Sequence, residues 1–145
     1  LEAHVASSWS RRAQVIITPG EFTASKYNPR YIGTPDFLTS RGGLEIKTGA
    51  EASYKKGCPT TYECQSRWYM SIFEVPVWDL VACIVPKDRS EIPNLDDDGM
   101  LEWVSQRPHR EYQFLRDLDW ESQAQQAADR FLQRLDSLTT KRVVD

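Results

Sequence analysis

Gly33-Thr34-Pro35-Asp36-Phe37-Leu38-Thr39-Ser40-Arg41-Gly42-Gly43-Leu44-Glu45-Ile46-Lys47-Thr48-Gly49 is the stretch whose reading decides the fold. Residues 34–38 and 44–48 are short runs of strand-forming residues. Ser40, Arg41, Gly42 and Gly43 between them carry turn chemistry, so the stretch predicts a hairpin-like pair. Side chains alternate along a strand, which sends Glu45 and Lys47 to one face and Leu44, Ile46 and Thr48 to the other. If Asp36 on the neighbouring strand points the same way as Glu45, two carboxylates and an ammonium meet on a patch backed by apolar residues. Two clustered carboxylates repel unless a cation lies between them, and all-oxygen ligation suits Mg²⁺ or Mn²⁺.

Pro35-Asp36 followed by Glu45-Ile46-Lys47 resembles the signature of the PD-(D/E)XK nucleases, and the surrounding residues resemble the phage lambda exonuclease and YqaJ-type recombinase branch of that superfamily. The resemblance implies an α/β fold, a restriction-endonuclease-like core in which helices flank a central mixed β-sheet. It implies a Mg²⁺-dependent (or Mn²⁺-dependent) exonuclease that degrades one strand of duplex DNA from its 5′ end in phage-type recombination. A ring-shaped homo-oligomer and a single-strand annealing protein are the partners it implies. Asp36, Glu45 and the backbone carbonyl of Ile46 would hold the metal, and Lys47 would orient the attacking water. A restriction- or repair-type endonuclease of the same fold is the alternative, and a non-catalytic DNA-binding domain is a further one. The presence of Asp36, Glu45 and Lys47 together argues against the last.

Composition limits the other classes. The chain has 145 residues, 40% of them hydrophobic, with five Trp, six Tyr and five Phe, enough for one core and one domain. No apolar run is long enough to span a bilayer and no signal-peptide pattern occurs. Cys58, Cys64 and Cys83 are odd in number and lack Cys-x-x-Cys spacing, which argues against a zinc site or a disulfide framework. A soluble, cytoplasmic protein is expected, in the host cytoplasm if a phage encodes it. The formal net charge of −3 is unusual for a DNA-binding protein. Asp96, Asp97 and Asp98 account for part of it, whereas Lys26, Arg30, Arg41, Lys55, Lys56 and Arg67 cluster in sequence around the proposed site. Arg41, Lys55, Lys56 and Tyr62 are the DNA-binding candidates among the nearby residues.

The rest of the chain supplies elements around this stretch. Leu1, Val5, Trp9 and Ala13 repeat at steps of four and predict an amphipathic helix to about Arg12. Glu2 lies beside that stripe, and the family resemblance makes it a candidate metal ligand from an upstream helix; a solvated glutamate at the first turn is the other reading. Glu21 is the reserve carboxylate. The segment enters helix at once, and the chain is expected to be a single nuclease domain, residues 1–145, lacking an N-terminal portion of the full-length protein. Val15-Ile16-Ile17-Thr18 predicts the first strand, residues 21–30 a loop, and Tyr31-Ile32 the entry to the strand bearing Asp36. Thr60 and Glu63 predict a capping box opening a helix to about Phe73. Within it, Tyr62-Glu63-Cys64-Gln65 resembles the Tyr-x-x-Gln helix of the exonuclease branch, which makes Gln65 a catalytic candidate. Residues 78–85 are nearly all apolar between Pro76 and Pro86 and predict a strand covered on both faces. Residues 87–99 predict a polar loop, 100–104 a short edge strand and 110–115 another strand. Residues 118–138 follow the helical period, capped by Asp117 or Asp119, and are expected to pack on the back of the sheet. Cys83 reads as a small buried hydrophobe, and His4 and His109 receive no catalytic role.

Overall fold

A strand with no solvent on either side lies at the middle of the fold. In the computed structural model, which describes residues 1–144, this strand is β6, Val77–Ile84. Its parallel neighbour is β5, Gly42–Gly49, and its antiparallel neighbour is β7, His109–Leu115. On the far side of β5 come β4, Phe37–Thr39, and then β1, Ile17–Pro19, both antiparallel, giving the order β1-β4-β5-β6-β7. The sheet is therefore mixed, with one parallel pair. The apolar run of β6 suits its position, because a strand covered on both faces has no need of alternation.

The two faces divide by residue parity. Val81, Cys83 and Val85 join Leu44 and Ile46 on one face, under helix α1 (Glu2–Ala13), whose Val5, Ala6 and Trp9 are buried there. Trp78, Leu80, Ala82 and Ile84 lie on the other, under helix α2 (Thr60–Phe73), with Met70, Tyr54 and Phe114. Glu45 and Lys47, opposite Leu80 and Ala82 in the register, share the α2 face. The alternation read from the sequence thus decides which helix meets the charged pair.

The hairpin expected around Ser40 and Arg41 forms, with Thr39 opposite Gly42. Gly42 and Gly43 belong to β5 and not to the turn. Their lack of a side chain serves close packing: a Cβ on Gly43 would lie 2.3 Å from ring carbons of the fully buried Trp78. Trp78 in turn meets Tyr69 and Phe73 of α2, at centroid distances of 5.4 and 6.1 Å.

Other elements depart from expectation. Asp36 immediately precedes β4 and is not within it. The expected loop 21–30 contains β2, Thr23–Ala24, which pairs with β3, Ile32–Gly33, in a separate two-stranded sheet, so Tyr31 and Ile32 do not lead into β4. Residues 100–104 are not an edge strand but part of helix α3, Asp97–Ser105. The Asp96 carboxylate accepts from the Gly99 amide at 2.8 Å, so the acidic triplet forms the cap and first turn of that helix, where negative charge meets unpaired N–H groups. Met100 and Val104, one helical turn apart, are its buried pair. The capping box at Thr60 is absent: Pro59 is the N-cap, its carbonyl takes the Tyr62 and Glu63 amides, and Glu63 pairs with Arg67.

Helix α4 runs over Leu118–Val144 and is capped by Asp117, which accepts from the Trp120 amide at 3.0 Å. It does not cover the back of the sheet, because α1 and α2 already occupy the two faces. It packs on α2, and Asp129 accepts from the hydroxyls of Tyr27 and Tyr31 while Arg30 pairs with Asp136. Phe131 is 64% exposed, and Leu135 and Leu138 are exposed beyond it.

Gly43→Ala should lower stability by about 1–3 kcal/mol, the usual range for forcing a methyl into a filled core. A urea titration read by tryptophan fluorescence checks this; an unchanged midpoint would mean that the Trp78 ring is free to move.

Candidate active site

The hairpin between β4 and β5 opens at one residue, and the reason is covalent. Pairing runs from Thr39↔Gly42 to Phe37↔Leu44, and continuing that register would set Pro35 opposite Ile46. Proline has no N–H to offer the ladder. The Asp36 carboxylate takes the place of a strand neighbour and accepts from the Ile46 amide at 2.8 Å through Oδ2. The N–H and C=O of one strand residue point the same way, so the Ile46 carbonyl also faces this opened edge, where Pro35 supplies it no donor.

Glu45 lies beside this edge on the α2 face and is only 3% exposed. Its Oε1 accepts from Lys47 Nζ at 2.8 Å, while its Oε2 is buried with no hydrogen-bond partner. A buried carboxylate oxygen without a donor is costly. Burial lifts the Glu45 carboxyl above its ordinary pKa, the hydrogen bond from Lys47 works against that, and the Asp36 charge adds to it. Burial also disfavours the charge on Lys47, but its hydrogen bond to Glu45 and the charges of Glu45 and Asp36 outweigh burial, and the amine is held above its ordinary pKa. Lys47 therefore stays an ammonium and cannot serve as a free base near neutral pH.

Helix α2 secures the ammonium from the other side. Tyr62, Gln65 and Tyr69 fall three and four residues apart and present one face to β5. Gln65 Oε1 accepts from Lys47 at 2.9 Å, its Nε2 donates to the Tyr69 hydroxyl at 3.1 Å, and that hydroxyl donates to the Thr34 carbonyl at 3.2 Å. These partners set the orientation of the amide. Lys47 also lies 5.0 Å from the centroid of the Tyr62 ring, in a cation–π contact. The sequence puts Tyr69 on one helix surface with Tyr62 and Gln65 but gives it no role in the site; the structure shows it orienting the Gln65 amide.

Asp36, Glu45, Ile46, Lys47, Gln65 and Tyr62 are thus brought together. Glu2 is exposed on the first turn of α1, under the other face of the sheet. Among the described residues no three of His, Cys, Asp and Glu gather at a metal-holding spacing, so Glu2 does not join Asp36 and Glu45. Arg41 lies at the opposite end of β5, on the α1 face, paired with Asp79 at 3.0 Å and 5.7 Å from the Trp9 ring centroid. Lys26, Arg30 and Arg67 are also engaged, by Glu74, Asp136 and Glu63. Lys55 and Lys56 are exposed, just past the 3-10 turn Glu51–Tyr54 that follows β5. Cys83 is fully buried, and burial pushes its thiol up to about 11, so it is inert near neutral pH. His4 bonds Asp97 at 3.0 Å, tying α1 to α3.

The donor set suits a hard divalent cation. The oxygens at the opened edge are the carboxylates of Asp36 and Glu45 and the Ile46 carbonyl, and the orphaned Glu45 Oε2 is an acceptor without a donor.

No protein-family model matches the chain, and no curated protein matches it in sequence. Among solved structures, the alkaline exonuclease LHK-Exo from Laribacter hongkongensis superposes with a TM-score of 0.73 over 94% of this chain, at 21% sequence identity. The same enzyme in complex with dAMP gives a TM-score of 0.72, also at 21% identity and 94% coverage. This chain spans 66% of the length of the first of these. The chain therefore shares its fold with that exonuclease, a restriction-endonuclease-like α/β fold with a mixed central sheet flanked by helices.

Proposed function

We propose that this chain is a metal-dependent deoxyribonuclease, an exonuclease that hydrolyses phosphodiester bonds of duplex DNA from the 5′ end in phage-type recombination. The observation that carries the reading is the meeting of Asp36, the buried Glu45 and the Lys47 ammonium at the opened edge of β5. The likeness in fold to an alkaline exonuclease, one structure of which holds dAMP, supports it. Polarity, a ring-shaped oligomer and an annealing partner rest on the family resemblance. A DNA-binding domain without catalysis is disfavoured, because nothing in such a role requires a buried carboxylate with an open oxygen.

Asp36, Glu45 and the Ile46 carbonyl would hold Mg²⁺ or Mn²⁺. Such a cation, when bound, activates water and offsets charge on the phosphate. Lys47 is placed to donate toward a phosphate oxygen or an attacking water, since Glu45 and Gln65 engage its ammonium without exhausting its three donors. Both hydrogen-bonding ends of the Gln65 amide are engaged, by Lys47 and Tyr69. Its role is to position the ammonium, a narrower one than direct contact with the water.

A gel comparing 5′-labelled, 3′-labelled and circular duplexes, with Mg²⁺ and with chelator, tests the whole reading. Linear duplexes should lose the 5′ label first and circles should survive; cut circles would favour an endonuclease, and intact linear DNA in Mg²⁺ would end the nuclease assignment. Asp36→Ala and Lys47→Ala should each reduce the rate at least about 10²-fold, the scale for losing a charge-stabilising group. Gln65→Ala should cost about 10-fold, as positioning groups do. Normal digestion by Asp36→Ala or Lys47→Ala would refute the assignment.

Cation binding is measurable apart from activity. Mg²⁺ or Mn²⁺ should raise the Tm of the wild-type chain and leave Asp36→Asn and Glu45→Gln unmoved. Because burial raises the Glu45 carboxyl above its ordinary pKa, protons compete with the cation at a higher pH than they would at an exposed glutamate. The Tm rise should therefore shrink as pH falls and Glu45 takes up its proton; a rise independent of pH would place the cation elsewhere.

A further inference from the structure

We propose that Arg89 binds a DNA phosphate next to the one being cleaved, an inference that rests on the nuclease reading above. β5 and β6 run parallel and end in register at Gly49 and Ile84, and the Val85 amide donates to the Gly49 carbonyl at 3.0 Å. The loops that follow the two strands therefore leave the same end of the sheet. Lys55 and Lys56 stand on the first and Lys87 and Arg89 on the second; all four are exposed and none forms a salt bridge among the described residues. Most other arginines of the body are tied to carboxylates, Arg12, Arg30, Arg41, Arg67, Arg110 and Arg116 among them.

Arg89 is the cation of this group whose position is defined. Its Nη1 and Nη2 lie 3.4 and 3.3 Å from Thr48 Oγ1, long contacts to a neutral hydroxyl. Thr48 follows Lys47; its side chain, like those of Leu44 and Ile46, lies on the α1 face, so Arg89 stands across β5 from Lys47 at the same carboxyl end of the sheet, while the Thr48 main chain faces the opened edge with that of Ile46. Two residues of strand span about 7 Å, a distance that one nucleotide of a DNA backbone covers. A DNA strand that follows the opened edge with its scissile phosphate at Asp36, Glu45 and Lys47 would meet the Arg89 guanidinium with the adjoining phosphate where it passes the carboxyl end of β5 toward the α1 side. The segment carrying Arg89 is held in shape: Asp88 accepts from the amide and hydroxyl of Ser90 at 2.9 and 2.7 Å, and Ile92 packs against the core. Those bonds turn the carboxylate nearest in sequence toward Ser90. A guanidinium presented at a fixed place, with donors that a carboxylate has not taken, is a fitting partner for a phosphodiester.

The test combines DNA binding and cleavage in wild type, Arg89→Gln and Arg89→Lys. Arg89→Gln should weaken duplex binding and lower kcat/KM roughly 10-fold, and reduce the slope of log K against log salt by about 1, as expected for one lost phosphate contact. Arg89→Lys should recover part of the loss, and the Mg²⁺-induced rise in Tm should be the same in all three proteins. A methylphosphonate replacing the phosphate next to the cleaved one should bring wild type down to the level of Arg89→Gln and leave that variant unchanged. Equal salt slopes for wild type and Arg89→Gln, or additive losses from the variant and the neutral phosphate, would overturn the contact, as would absence of duplex binding by wild type. Binding that depends on Arg89 in a wild-type chain that cleaves nothing would instead refute the nuclease reading and leave the contact standing.

Discussion

A missing N–H at Pro35 is the constraint on which the site depends. The β4–β5 ladder would otherwise carry on past Leu44 and consume the backbone groups of Ile46 in a strand pair. With proline in that register the ladder stops, the Asp36 carboxylate satisfies the Ile46 amide, and the Ile46 carbonyl is left facing outward beside it. One residue type thereby produces an opened strand edge, fixes a carboxylate there and frees a carbonyl oxygen. The Pro-Asp pair reads as a turn signal in isolation; in the fold it marks where a hairpin parts.

What lies around that edge is a balance of burial against charge. Glu45 sits where an isolated carboxylate is unfavourable, and Lys47 compensates it only through one oxygen. Helix α2 supplies the rest through a relay from Gln65 to Tyr69 to the Thr34 carbonyl, which links the ammonium back to the segment that carries Asp36. The same helix covers the sheet with Met70 and the aromatic residues around Trp78. Core packing and site geometry thus share one element, and the bulk of Trp78 against Gly43 sets how closely that element's neighbours approach.

The charge distribution reconciles an acidic chain with the anionic substrate proposed for it. The net charge of −3 is a sum over surfaces with different work to do. Asp96–Asp98 cap and begin α3, and Asp129 and Asp136 bind Tyr27, Arg30 and Tyr31, between β2 and β3, to α4. At the carboxyl end of the two parallel strands the exposed cations Lys55, Lys56, Lys87 and Arg89 form no salt bridge among the described residues, and that is the end the proposed DNA substrate would meet.

The local signals in the sequence were strong where one residue's chemistry decides the outcome. The alternation of Glu45, Ile46 and Lys47, the turn at Ser40-Arg41, the doubly buried run of β6 and the helical period of α1, α2 and α4 were all legible, as were the identities of Asp36, Glu45 and Lys47. Short elements were not: β2 and β3 hold two residues each, and in the nine residues of α3 the apolar Met100, Leu101, Trp103 and Val104 do not separate one period from another; only the fold shows that Met100 and Val104 are the buried pair. Nor were the partners of charged side chains, since Arg41 pairs with Asp79 across 38 positions and Arg30 with Asp136 across 106. The sequence by itself determined which residues can bind a cation or carry a charge, because those properties belong to single side chains. Only the tertiary structure decided that Glu2 lies apart from them, that Gln65 braces Lys47 and that Arg89 stands at the same end of the sheet across β5 from Lys47, because these are distances between segments that meet only when the sheet is assembled.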